Sequence, residues 1–182
     1  MYREIALLTL LQPHGCCVRL LDVVCDQLPV TEGTTFILVC ELFVMNLKVL
    51  YDRNVRQLSP REHTKFLLFE LLVNLAGMHR AGVIHRDLKL GNVVTNDARN
   101  AVILDLGLAR TPPPAAAAAA AAPATGVVCT PGFRAPEVSL VDGLQGATLT
   151  AALDVWSSAC IALELLRCLH AEPHLISPVF RA

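Results

Sequence analysis

At 182 residues the chain is the size of one domain, and 54% hydrophobic residues are enough to build a core. A formal net charge of −1 gives no electrostatic reason to expect a nucleic-acid partner. Glu70 and Glu164 interrupt the longest apolar stretches short of a membrane span, and Arg3 and Glu4 break any signal-peptide core, so neither a membrane nor a secretory route is expected.

In chain order, residues 2–11 place apolar side chains at helical spacing. Leu20–Val24 and Thr35–Cys40 are short β-prone runs around a Pro- and Gly-containing turn, the pattern of a hairpin. Ser59-Pro60-Arg61-Glu62 is a capping box with Pro at the first helical position. The spacing predicts a helix from Pro60 through Leu67, Leu68, Leu71, Leu72 and Leu75, with Gly82 as its stop. Val93-Val94-Thr95 and Ala101–Leu104, joined through an Asn96-Asp97 turn, predict a second hairpin. Ala151–Leu169 is strongly apolar with helical pattern, as expected of a central buried helix.

Four motifs are threaded through these elements in a fixed order. His85-Arg86-Asp87-Leu88-Lys89-Leu90-Gly91-Asn92 fits H-R-D-L-x-x-x-N, and Asp105-Leu106-Gly107 begins 18 residues after Asp87. Ala135-Pro136-Glu137 and then Asp154-Val155-Trp156-Ser157 follow. With these four motifs in order, the chain resembles a eukaryotic protein kinase, and Lys89 two residues after Asp87 marks the Ser/Thr form. A finer resemblance is to the cyclin-dependent branch. Arg3-Glu4-Ile5-Ala6-Leu7-Leu8 is similar to the end of the helix that carries PSTAIRE. Leu20–Val23 and Leu38–Phe43 look like the fourth and fifth strands and hinge, and Arg134 precedes Ala-Pro-Glu as in that branch.

The resemblance implies an α+β, protein kinase-like fold in partial form. Residues 1–43 would be an N-lobe remnant, a helix plus β-hairpin, ending at the hinge. Residues 44–182 would be the first part of a mainly helical C-lobe, with a low-complexity Pro/Ala insert at 112–124 that includes eight consecutive alanines. It implies ATP and Mg2+ as cofactors, a protein substrate, a cyclin-like activator, and a cytoplasmic or nuclear setting. Asp87 would accept or orient the substrate hydroxyl, and Lys89 would offset charge on the γ-phosphate. Asn92 and Asp105 would hold magnesium through hard oxygen ligands. Glu4 would pair with a strand lysine that orients the phosphates, and backbone groups of Glu41 and Phe43 would meet the adenine edge, with Cys40 as gatekeeper. Arg86 beside the base is the feature of kinases switched on by loop phosphorylation. Thr125, five residues before Thr130, has the spacing of the activating threonine, and Thr130 matches the one that hydrogen-bonds the catalytic aspartate.

Departures are equally specific. No glycine-rich phosphate loop or Val-Ala-Ile-Lys-like strand precedes Met1, Leu106 stands where the family has Phe, and no terminal helices follow the central one. A partial C-lobe would leave apolar helix faces uncovered, which accounts for a charged content of only 17%. Two readings stay open: a Ser/Thr kinase present as a truncated or inactive form, and a non-catalytic, pseudokinase-like binding module. Plainer readings also exist for single residues. Arg3 and Glu4 can be a solvated helix pair, and His85 reads as structural. His170 and His174 lack a third metal ligand. The seven cysteines, with no Cys-x-x-Cys pair, read as buried thiols.

Overall fold

The computed structural model describes residues 2–26, 35–52, 61–96, 100–112, 129–140 and 150–170. Helix α1 (Tyr2–Leu11) buries Leu7, Leu8 and Leu11 on one side. Pro13 follows within a short 3-10 turn, and Gly15 at φ 60° closes it in the left-handed conformation that glycine adopts without a Cβ clash. Strands β1 (Leu20–Asp26) and β2 (Thr35–Cys40) pair antiparallel, as the two β-prone runs predict; β1 runs two residues beyond Val24. Tyr2 packs edge-on against Phe36 with ring centroids 4.9 Å apart, which ties α1 to the hairpin.

After the 41–43 link, β3 (Met45–Asn46) leads into α2 (Leu47–Asp52). The long helix α3 (Arg61–Arg80) buries Leu67, Leu71, Leu75 and Met78, one stripe at i, i+4, i+8 and i+11. It stops as expected. Gly82, at φ 73°, donates its N–H to the His79 carbonyl at 3.0 Å. The Ser59-Pro60 half of the capping box lies outside the described residues, as do the Asp97 end of the second turn and most of the Pro/Ala insert.

Strands β4 (Val93–Thr95) and β5 (Val102–Ile103) form the second hairpin. The sequence does not announce its third strand. Met45 pairs with Thr95 and Asn46 with Val94, so the sheet order is β3-β4-β5. Val18 donates to the Ile103 carbonyl at 2.9 Å, stitching the segment before β1 onto this sheet.

Helix α4 (Pro136–Leu140) begins at the Ala-Pro-Glu motif, and α5 (Ala152–His170) packs against α3. Helix α5 buries Leu153, Cys160, Ile161 and Leu165, as expected of a central helix, but its buried face is not uniformly apolar. Asp154, Ser157, Ser158 and Glu164 face inward, while Val155, Trp156, Leu163 and Leu166 are exposed. Helix α3 likewise exposes Phe66, Phe69, Leu72 and Val73. Asp154, Ser157 and Ser158 are held by partners within the fold: Ser157 Oγ, for example, donates to the Phe133 carbonyl at 2.7 Å. Helices with short antiparallel sheets make the architecture α+β, the expected fold class.

Candidate active site

The site is built around the loop between α3 and β4. Asp154, at the start of α5, is fully buried. Its Oδ1 accepts the Arg86 N–H and its Oδ2 accepts the His85 N–H, each at 2.8 Å, and the His79 Nε2 lies 2.8 Å from the same Oδ2. That grip holds Arg86 at φ 73°, a conformation a side-chain-bearing residue keeps only when its surroundings enforce it. His85 accepts the Asp87 N–H at its Nδ1 and donates from Nε2 to the Leu104 carbonyl at 2.8 Å, which assigns the ring proton to Nε2. This bond ties the loop to the residue preceding Asp105.

Asp87 therefore projects from a fixed turn. Lys89 Nζ lies 2.7 Å from its Oδ2, and Thr130 donates to its Oδ1 from both Oγ1, at 2.7 Å, and the backbone N–H, at 3.0 Å. Burial pushes the Asp87 carboxyl up, but the Lys89 ammonium and the two Thr130 donors together outweigh it, so the net shift is downward. Lys89 also reaches Thr130 Oγ1 at 3.3 Å. The structure thus brings Asp87, Lys89 and Thr130 into one network of charge and hydrogen bonds.

Asn92 turns its amide nitrogen to the Asp87 carbonyl at 2.9 Å, which leaves its amide oxygen for another partner. Its backbone carbonyl accepts the Leu104 N–H at 2.8 Å, so Asn92 and the Asp105 segment run side by side. Asp105 sits at φ 62° with an exposed side chain, and Gly107 donates its N–H to Oδ1 at 3.2 Å. One amide oxygen and one carboxylate are hard donors. The pair fits magnesium, an ion commonly held by one or two protein oxygens together with water and phosphate. Leu106 is completely buried in the hydrophobic core, so the shorter side chain still packs inside the fold.

A cavity of about 440 Å³ opens beside this apparatus, lined by Glu4, Leu8, Val18, Leu38, Cys40, Glu41, Phe43, Val94, Leu104 and Asp105 among others. Its apolar walls come from α1, β2 and β4, and Glu4, Glu41 and Asp105 all reach it. Glu41 gives its N–H to the Arg19 carbonyl at 3.1 Å, so its own carbonyl is the backbone group left to a ligand there. Among the described residues no lysine or arginine lines the cavity or forms an ion pair with Glu4.

Two arginines that sequence reasoning did not connect to the site lie close to Arg86. Burial, and then repulsion from Arg110 and Arg3, pull the Arg86 guanidinium below its ordinary value. Ile84 and Arg110 exchange backbone hydrogen bonds at 2.8 and 2.9 Å, which seats Arg110 beside the loop. Arg86 Nη2 is buried and has no hydrogen-bond partner among the described residues. Arg86 therefore combines a buried, unmet donor with repulsion from two further cations. A basic residue five positions after Asp105 and another on α1 carry no local signal, because only the tertiary fold brings them together. Thr125 lies outside the described residues.

Comparison with known proteins finds a family and several relatives for the chain. The protein kinase domain family pattern covers residues 1–173. Mitogen-activated protein kinase 12 of Mus musculus is 35% identical over 165 residues, 91% of this chain and 41% of that protein. The Homo sapiens protein of the same name is 34% identical over the same span. Stress-activated protein kinase jnk-1 of Caenorhabditis elegans is 35% identical over 166 residues, 91% of this chain and 32% of its own length. The chain thus spans 41% or less of the length of these relatives. With the family pattern running through almost all of its residues, the chain belongs to the protein kinase domain family.

Proposed function

We propose that this protein is a Ser/Thr protein kinase that transfers a phosphoryl group from ATP to a hydroxyl of a protein substrate. The observation that carries this reading is the Asp87 carboxylate, held ionised between Lys89 and Thr130. Asp87 orients the substrate hydroxyl and accepts its proton, and Lys89 offsets charge at the transferred group. The adenine belongs between Val18, Leu38 and Val94, with the Glu41 carbonyl and the Phe43 backbone at its edge. Asn92 and Asp105 would hold magnesium, which supplies charge neutralisation to the phosphates.

At branch level, the relatives at 34–35% identity favour a MAP kinase-like protein over a cyclin-dependent one. A cyclin-like activator accordingly loses its support. Regulation by loop phosphorylation keeps its support, since Arg86 with Arg3 and Arg110 suits a phosphate, and Thr125 is the residue proposed to carry it. A division at residue 43 into an N-lobe segment and a C-lobe segment, and a cytoplasmic or nuclear setting, belong to the same proposal.

The second reading, a non-catalytic module, rests on one observation: Glu4, at the cavity, has no lysine or arginine partner among the described residues. The deciding test is Mg-ATP-dependent phosphorylation of a general protein substrate. Transfer that disappears in Asp87→Asn establishes the kinase. No transfer, with nucleotide still bound or not, leaves the binding module.

A further inference from the structure

We propose that Glu4 sets the charge selectivity of the cavity: its carboxylate makes the site favour an uncharged nucleoside over a free, metal-free triphosphate. This selectivity rests on the nucleotide reading above and deepens it; phosphoryl transfer is not needed for it.

Arg3 and Glu4 are neighbours on α1, and successive side chains of a helix point about 100° apart. Their charges accordingly serve different places. Arg3 stands with Arg86 and Arg110, both lowered first by burial and then by repulsion in which Arg3 shares. Glu4 instead lines the cavity, with Glu41 and Asp105. Glu41 is offset by Arg19, whose Nε lies 3.5 Å from its carboxylate. Glu4 has no lysine or arginine partner among the described residues, so its charge on the cavity wall is uncompensated.

The field of that charge reaches the interior. Burial first, and then the Glu4 charge, push the Cys40 thiol up, and Cys40 lines the same cavity. Leu8, Val18, Leu38, Val94 and Leu104 supply apolar walls, between which a like charge is repelled more strongly than in water. A space of about 440 Å³ is roughly 8 Å across, shorter than the Debye length of about 10 Å at 0.1 M salt. A phosphate anywhere in it stays within reach of Glu4. An uncharged nucleoside meets no such repulsion, and its aromatic ring suits the apolar walls. A triphosphate meets it in full until part of its charge is cancelled by magnesium, which Asn92 and Asp105 would hold.

The test is isothermal titration of the 182-residue chain with adenosine, with ATP in EDTA and with ATP in excess Mg2+. The parent should bind adenosine at least about tenfold more tightly than ATP in EDTA, and Mg2+ should bring ATP to within about threefold of adenosine. Glu4→Gln should tighten ATP in EDTA about fivefold and move adenosine by less than about twofold, while Glu4→Asp, which keeps the charge, should select as the parent does. ATP in EDTA binding as tightly as adenosine in the parent overturns the proposal. So does a Glu4→Gln chain that shifts both ligands alike or neither. The parent comparison needs no variant, so it stays decisive if Glu4→Gln fails to fold. A parent that binds neither ligand overturns the proposal together with the nucleotide reading. Selectivity without phosphoryl transfer sinks the kinase reading alone, and transfer without selectivity sinks this proposal alone.

Discussion

Asp154 Oδ1 accepts the Arg86 N–H at 2.8 Å, so a carboxylate on α5 sets the backbone of a residue 68 positions earlier. That single contact converts a helix position into the orientation of the neighbouring Asp87. It also makes a buried charge answerable for several donors at once, since His85 and His79 meet the same group.

Asp154→Ala strands the buried N–H groups of His85 and Arg86, and each unmet donor costs about 1–3 kcal/mol. A loss of at least about 3 kcal/mol in urea unfolding is expected, against a smaller loss for Asp154→Asn, which keeps one acceptor. Equal losses for the two variants would show that the one retained acceptor contributes nothing and that the site needs the full carboxylate.

Asp87→Asn removes the ionised partner of Lys89 and leaves the loop backbone unaltered. If the chain phosphorylates protein substrates, the rate should fall by a factor of about 10²–10⁴, the range for loss of a positioned base. Retention of more than a tenth of the rate would reassign the base to another group.

The Asp87 carboxyl titrates below its ordinary value in the folded chain, because Lys89 and Thr130 outweigh the upward push of burial. A depressed carboxylate contributes stability above its unfolded pKa and loses it as pH falls through the folded one. The stability difference between the parent and Asp87→Asn should therefore be flat from about pH 5 to 7 and shrink below about pH 4. Chemical denaturation across that range checks it; a difference that grows on acidification contradicts the assignment.

Gly77 lies where α3 meets the segment before β1. A Cβ built there comes within 2.9 Å of the Cys16 Cβ, an approach real side chains do not make. Gly77→Ala should destabilise by about 1–3 kcal/mol despite the better helix propensity of alanine. Combining it with Cys16→Gly should recover part of the loss, measured as a double-mutant cycle.

Phosphate on Thr125 would meet the cluster of Arg86, Arg3 and Arg110. Phosphorylated protein should melt about 2–4 °C higher than unmodified protein, and Arg86→Ala should abolish the gain. A gain that survives Arg86→Ala would place the phosphate elsewhere.

Local patterns in the sequence determined much of this protein. The apolar spacing of residues 2–11 and of Leu67, Leu71 and Leu75, the two β-prone pairs, and the order of the four motifs all survive in the structure, because periodicity and turn chemistry act over a few residues. The tertiary structure alone decided what long-range packing controls. It joined β3 to β4, turned Asp154, Ser157, Ser158 and Glu164 of α5 inward, and gathered Arg3 and Arg110 around Arg86. It also put Cys129 in a left-handed backbone against the Arg86 carbonyl. No local rule marks those residues, since a buried polar group is tolerable only where partners from distant segments satisfy it. The chemistry of Asp87 was written in eight consecutive residues; the network that aims it is spread from α3 to α5.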